Sequence, residues 1–225
     1  LVHGFLASPA ELRQLGEKFS ALGYAVMGVR LAGHGTSPHE LQKRKWTDWQ
    51  ASVRRGYEIL APFCDQVVMV GFSTGGALCV LQAAEQPEKL MGLVLAGTPL
   101  KFRNRNLMFV PLLYGANKLM GWMPSAQELL TFRPNESEHP DINYRNKPIG
   151  GLHQLRQTVA AMHKHLPDVK CPTLILQGDG DQVVDPASAH MIQRLASNVA
   201  KMDVQMLKSD RHGIVNEDID GAHDR

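Results

Sequence analysis

The residues with the clearest chemical potential are Gly71-Phe72-Ser73-Thr74-Gly75, a G-x-S-x-G pattern between the β-branched run Val67-Val68-Met69-Val70 and a stretch of small residues that reads as a helix. A strand, a sharp turn and a helix are the context in which this pattern exposes a serine hydroxyl for attack on a carbonyl carbon. Gly71 and Gly75 leave room where any Cβ would crowd the turn. The helix starting behind Ser73 presents free N–H groups and its positive dipole end to developing negative charge. A second loop must bring another backbone donor to the same place. The opening Leu1-Val2-His3-Gly4-Phe5 reads as a strand ending in a turn, so the amides of Phe5 and Thr74 are the expected oxyanion donors.

Serine is a weak nucleophile, and it needs a base that is itself oriented by a carboxylate. In sheets of this class the partners follow the serine in the order acid, then histidine. The loop Gly178-Asp179-Gly180-Asp181-Gln182-Val183-Val184-Asp185 offers three acids. Asp185 precedes Pro186 and suits a helix N-cap. Asp179 before Gly180 suits a turn. Asp181 is left as the triad acid, with Asp179 as the alternative in the same loop. Of ten histidines, His212 is the one after Asp181 that directly follows a strand, in Ser209-Asp210-Arg211-His212-Gly213. His190 sits in a helix and His223 in the polar tail. His34, His39, His139, His153, His163 and His165 suit solvated or structural roles, and the last two point to different sides of a helix, a poor metal pair.

These loops need a scaffold. Residues 1–4, 24–30, 66–70, 91–95, 173–177 and 202–207 read as strands. Between them lie amphipathic helices: 8–22, with Ser8 as N-cap, Pro9 at its start and Glu11 as capping-box partner; one starting at Thr47, with Gln50 three residues on, that buries Trp49, Val53, Tyr57 and Leu60; 74–85; and 186–195. Alternation of apolar strands with such helices predicts an α/β fold, a mostly parallel sheet sandwiched by helices. The pattern lapses at 100–166, where prolines break apolar stretches and no strand signal is visible. A helix there places Leu152, Leu155, Val159, Met162 and Leu166 on one face. The division is therefore a core of 1–99 and 167–225 with a helical insertion, 100–166.

Composition narrows the partners. With 24 basic against 22 acidic residues among 225, net charge +2, the chain carries no footprint for nucleic acid. No run of about 18 apolar residues is present to span a membrane. Cys64, Cys79 and Cys171 are odd in number and widely spaced, which suits free thiols in a reducing, cytoplasmic setting. No signal peptide is visible, and the ends suggest that both termini have been cut.

Taken together, the sequence resembles the α/β-hydrolase superfamily, and within it the small carboxylesterases related to monoacylglycerol lipases. The resemblance rests on Leu1-Val2-His3-Gly4-Phe5, Leu31-Ala32-Gly33-His34-Gly35, Trp46-Thr47-Asp48-Trp49, Gly71-Phe72-Ser73-Thr74-Gly75-Gly76, Gln177-Gly178-Asp179-Gly180-Asp181-Gln182-Val183-Val184 and Ser209-Asp210-Arg211-His212-Gly213. It implies a sheet of about eight strands, a helical cap formed by the insertion, and hydrolysis of a small acyl ester of short-to-medium chain length through an acyl-enzyme, with no metal and no cofactor. Thioesters, lactones and C–C bonds are alternatives on the same triad; a non-catalytic ligand-binding relative is another. Apolar residues of the insertion, Leu107, Met108, Leu112, Leu119 and Trp122 among them, are expected to wall an acyl pocket.

Overall fold

The computed structural model describes residues 1–119, 131–216 and 222–223. In chain order the first half comprises α1 (Arg13–Ala21), α2 (Pro38–Gln42), α3 (Trp46–Leu60), β1 (Val67–Phe72), α4 (Thr74–Ala84), β2 (Leu90–Ala96) and α5 (Val110–Leu119). The second comprises β3 (Phe132–Pro134), β4 (Asn146–Pro148), α6 (Ile149–His165), β5 (Thr173–Gly178), α7 (Ala187–Leu195) and β6 (Met202–Leu207). Strands β1, β2, β5 and β6 pair side by side in that order, all parallel. Val2 bridges Gly71 on the free side of β1 and Val29 lies beyond it. The Val2 amide donates to Val70 at 2.8 Å, and the Phe72 amide donates to Val2 at 2.9 Å.

Because every strand of this sheet runs the same way, the loops that leave β1, β5 and β6 emerge at one edge. The order of the strands, more than any single contact, brings distant parts of the chain together there.

Helix α4 is buried along nearly its whole length, since it lies between the sheet and helices α3 and α6. Its small residues permit that approach. A Cβ on Gly75 would collide with the Val2 carbonyl, and one on Gly76 with the Thr98 hydroxyl. Trp49, Val53, Leu78, Leu95, Met162 and Ile175 are fully or almost fully buried in the main core, each worth about 1.5–3 kcal/mol of transfer free energy. A second cluster of Leu12, Phe72, Ala96, Leu176, Leu207 and Ile214 underlies the strand ends.

Several local expectations need correction. Residues 9–12 form a 3-10 turn before α1, and Ser8 makes no side-chain cap. Glu11 turns inward to accept the Gly4 amide instead of closing a capping box, because the turn that ends the first strand lies directly above it. Leu22 is exposed, beyond the reach of the core stripe. The run 24–30 contributes only the Val29 bridge, with Tyr24 two-thirds exposed, so it is not a buried strand. Helix α3 begins one residue early, at Trp46. Its first turn is capped by the Asp48 carboxylate on the Lys45 amide, the same three-residue spacing as Thr47 to Gln50 set two positions earlier. Tyr57 and Leu60 are only half-buried.

The segment 100–166 is not wholly helical. Strands β3 and β4 form a short antiparallel ribbon, Phe132 opposite Pro148 and Arg133 opposite Lys147. Two three-residue strands ending in proline are too short to alternate, so no periodicity announces them. The predicted apolar face of α6 is buried as expected, from Leu152 to Met162 and on to Leu166 in the turn that follows. Cys79 is buried, Cys64 and Cys171 are half-buried, and none is paired.

Candidate active site

Ser73 sits at the point where β1 becomes α4, with φ 51° and ψ −118°. A positive φ at a residue with a side chain is strained, on the order of 1–3 kcal/mol. The strain is held by the Ser73 amide on the Ala96 carbonyl at 2.8 Å and by the Gly76 amide on Ser73 at 3.0 Å. The result is a hydroxyl standing clear of the sheet edge at the floor of a cavity.

His212 follows β6 and reaches back across the edge. Its Nε2 lies 3.0 Å from Ser73 Oγ. Its Nδ1 lies 2.8 Å from Asp181 Oδ2. Phe72 packs against the imidazole, ring centroids 5.0 Å apart. Asp181 is fully buried but its carboxylate is satisfied: Oδ1 accepts the amides of Val183 at 2.8 Å and Val184 at 2.9 Å, and Oδ2 also accepts Gln177 Nε2 at 3.0 Å. Burial pushes this carboxyl upward, yet the hydrogen bond and charge of His212, with the two backbone amides, hold it below its ordinary value. An acceptor-only carboxylate on Nδ1 fixes the proton there and leaves Nε2 as the acceptor for the serine hydroxyl.

The competing acids fall where their local chemistry put them. Asp185 accepts the Ala187 amide at 3.0 Å at the start of α7. Asp179 accepts the Ser209 amide at 3.1 Å and braces the loop before His212.

The expected oxyanion donors line the same cavity as Ser73. Among the described residues, the amides of Phe5 and Thr74 donate to no protein acceptor. His3, behind them, is structural. Burial lowers it to about 4, its Nε2 accepts the Leu31 amide at 3.2 Å, and its Nδ1–H donates to the Gly4 carbonyl at 2.8 Å. His34 is buried against Phe5 and Trp49.

The cavity has a volume of about 670 Å³, in the range of small-molecule sites. Its apolar wall includes Phe5, Phe102, Leu107, Val110, Leu113 and Leu152. Of the three residues expected there whose side chains are described, Leu107 is found on it and Met108 and Leu112 are not. Met108 and Leu112 are 63% and 72% exposed and face away, because Leu107, Val110 and Leu113 occupy the inward positions at helical spacing. Trp122 lies outside the described residues, and so does the side chain of Leu119.

Three contributors escaped the sequence. Gln177 is a polar residue at the end of an apolar strand, a signal that was present. Glu138, in the insertion, accepts the amides of His212 at 2.9 Å and Gly213 at 3.2 Å and pairs with Arg211. His139 lines the cavity beside Arg211 instead of being solvated. No pattern marked either of these two.

A mostly parallel sheet flanked by helices, with its strand ends opening into one cavity, defines the chain as an α/β hydrolase. It belongs to the Hydrolase_4 family, described as serine aminopeptidase, S33, whose model matches residues 1–219. It is 29% identical over 209 residues to the thermostable monoacylglycerol lipase of Bacillus sp. (strain H-257), covering 93% of this chain and 80% of that protein. It is 25% identical to the carboxylesterase of Bacillus subtilis (strain 168), over 92% of this chain and 80% of that protein. A solved structure from work on LipS and LipT, two metagenome-derived lipolytic enzymes, superposes with a TM-score of 0.81 at 29% identity, covering 95% of this chain and 84% of that chain. Among the described residues, no helix is long and apolar enough to cross a membrane.

Proposed function

We propose that the protein is a serine carboxylic-ester hydrolase that cleaves small acyl esters of short-to-medium chain length, with Ser73, His212 and Asp181 as nucleophile, base and acid. The observation that carries this reading is the continuous chain of contacts, Ser73 Oγ to His212 Nε2 at 3.0 Å and His212 Nδ1 to Asp181 Oδ2 at 2.8 Å, at the floor of a half-apolar cavity. The names of the relatives, monoacylglycerol lipase and carboxylesterase, support it.

In the proposed cycle, Ser73 Oγ bonds to the ester carbonyl carbon while His212 Nε2 takes the hydroxyl proton. Asp181 stabilises the imidazolium that forms. The carbonyl π pair moves onto oxygen, where the Phe5 and Thr74 amides receive it. The tetrahedral intermediate collapses, the alkoxide leaves with the proton from His212, and the acyl group stays on Ser73. Water, deprotonated by the same nitrogen, then repeats the addition and releases the carboxylic acid. The segment 100–166 acts as a cap, its inward residues Leu107, Val110, Leu113 and Leu152 holding the acyl chain.

A fluorophosphonate probe is expected to label the protein at Ser73, and S73A is expected to lose both labelling and p-nitrophenyl ester turnover. Turnover that survives S73A overturns the mechanism. The family description favours a second reading, hydrolysis of an aminoacyl amide. A panel of glycerol monoesters, thioesters and aminoacyl amides separates the two, and amide turnover above ester turnover would replace the first reading with the second.

A further inference from the structure

One buried acid has no part in that cycle. Glu11 is 5% exposed, yet its Oε2 accepts the Gly4 amide at 2.6 Å. Gly4 immediately precedes Phe5, the proposed oxyanion donor. Asn216, four residues past the base, lines the same cavity, and its side chain is among the groups that oppose the effect of burial on this carboxyl. Asn216 is tied to the base loop by its own amide on the Gly213 carbonyl at 3.3 Å. Glu11, Gly4, Ser73, His212 and Asn216 all border the one cavity. The carboxyl therefore lies beside the site as a brace on the turn that carries Phe5.

Resting on the proposed reaction, we infer that Glu11 is a positioning residue: its buried carboxyl holds the oxyanion turn through the Gly4 amide, and holds it more tightly when ionised. The first part follows from geometry. Glu11 pins the His3–Gly4 peptide by accepting its N–H, and His3 pins the following Gly4–Phe5 peptide, its Nδ1–H donating to the Gly4 carbonyl. That leaves the Phe5 amide with one direction to face. A Cβ on Gly4 would press on Glu11 Oε2 at 3.1 Å and on the Phe72 ring at 3.2 Å, so the contact is close enough to define the turn.

The second part follows from electrostatics. Burial raises the Glu11 carboxyl to about 7, opposed by the Gly4 amide, by His212 and by Asn216. His3, in the same turn, is kept neutral by burial, and Glu11 forms no ion pair among the described residues. An ionised Glu11 is the stronger acceptor for the Gly4 amide. It also favours the imidazolium that His212 becomes during attack.

The test compares E11A and E11Q with the wild type on a p-nitrophenyl ester across pH 5.5–8.5. Loss of the brace in E11A is expected to lower kcat at least 10-fold with KM within about threefold. In E11Q the amide oxygen still accepts the Gly4 N–H, so kcat recovers to near wild type below pH 6. The ratio of E11Q to wild-type kcat then falls to about one-third by pH 8, with its midpoint near 7. A pH-independent ratio in E11Q, or an E11A variant that folds with unchanged kcat, overturns the inference.

Nuclear magnetic resonance supplies a readout that needs no turnover. The Gly4 and Phe5 amide shifts are expected to titrate near pH 7 in the wild type and not in E11Q, and shifts that titrate alike in both overturn the dependence on ionisation. If those shifts titrate but no ester is cleaved, the proposed reaction fails while the brace stands.

Discussion

The strand ends and the inserted segment solve opposite problems. At the ends of β1, β5 and β6 each side chain is held by short, nearly geometry-determined contacts: the strained Ser73 elbow, the four acceptor bonds of Asp181, and the His212 ring on Phe72. In residues 100–166 the cavity wall is a set of apolar side chains on α5 and α6, with a polar strand ribbon opposite. The first arrangement tolerates almost no substitution. The second asks mainly that an inward position be apolar and of suitable size. On the proposed function, reactivity would belong to the rigid region and selectivity to the permissive one.

That contrast can be broken from either side. The largest effect is expected from D181N, which removes the charge and allows the wrong imidazole tautomer; kcat is expected to fall on the order of 10³ to 10⁴-fold with the fold intact by circular dichroism. Next is a stability effect at the brace. The Glu11 carboxyl releases its proton near 4.5 when unfolded and near 7 when folded. Between those values the folded state holds the extra proton, so stability falls as pH rises, by about 3 kcal/mol in all. E11Q escapes that loss, and denaturant melts at pH 5 and pH 8 are expected to converge for the variant and diverge for the wild type.

Within the insertion, L113W is expected to lower kcat/KM for octanoyl esters about 10-fold while leaving acetyl esters nearly unchanged, because it fills the cavity without touching the strand ends. A smaller effect is expected where the two regions meet. E138Q weakens the grip on the His212 and Gly213 amides and is expected to lower kcat about threefold to fivefold with little change in KM. M108S, at an exposed position of the 3-10 turn just before α5, is expected to shift stability by less than about 0.5 kcal/mol and leave acyl-chain preference alone. If M108S altered chain preference as L113W does, the inward and outward faces would have been misassigned.

The same contrast explains what could be read from residues alone. Gly71 and Gly75 around Ser73, Pro186 after Asp185 and the position of His212 behind β6 are local signals, since each follows from what a short piece of backbone can do. Glu11 shows the limit of such logic. Ser8, Pro9 and Glu11 satisfy a capping rule, but a turn folded above them offered the carboxylate a buried amide instead. Glu138 carried no signal because the amides it accepts lie 74 and 75 residues away in sequence, and the β3–β4 ribbon carried none because its strands are too short to alternate. On α5 the apolar stretch was legible; the helix, and which of its faces turned inward, depended on the cavity behind it.

The hydrogen bond from Ser73 to His212 joins residues 139 apart in the chain. Between them lie β2, the whole insertion, β5 and β6, and each must dock before the two side chains can meet. Contacts of such long range form late, since the loop entropy must be overcome before the contact contributes anything. Catalytic competence in a refolding chain is therefore a reporter of the final step. Regain of helical signal is expected to precede regain of turnover in a refolding experiment, with the lag timing the arrival of β6 at the sheet edge.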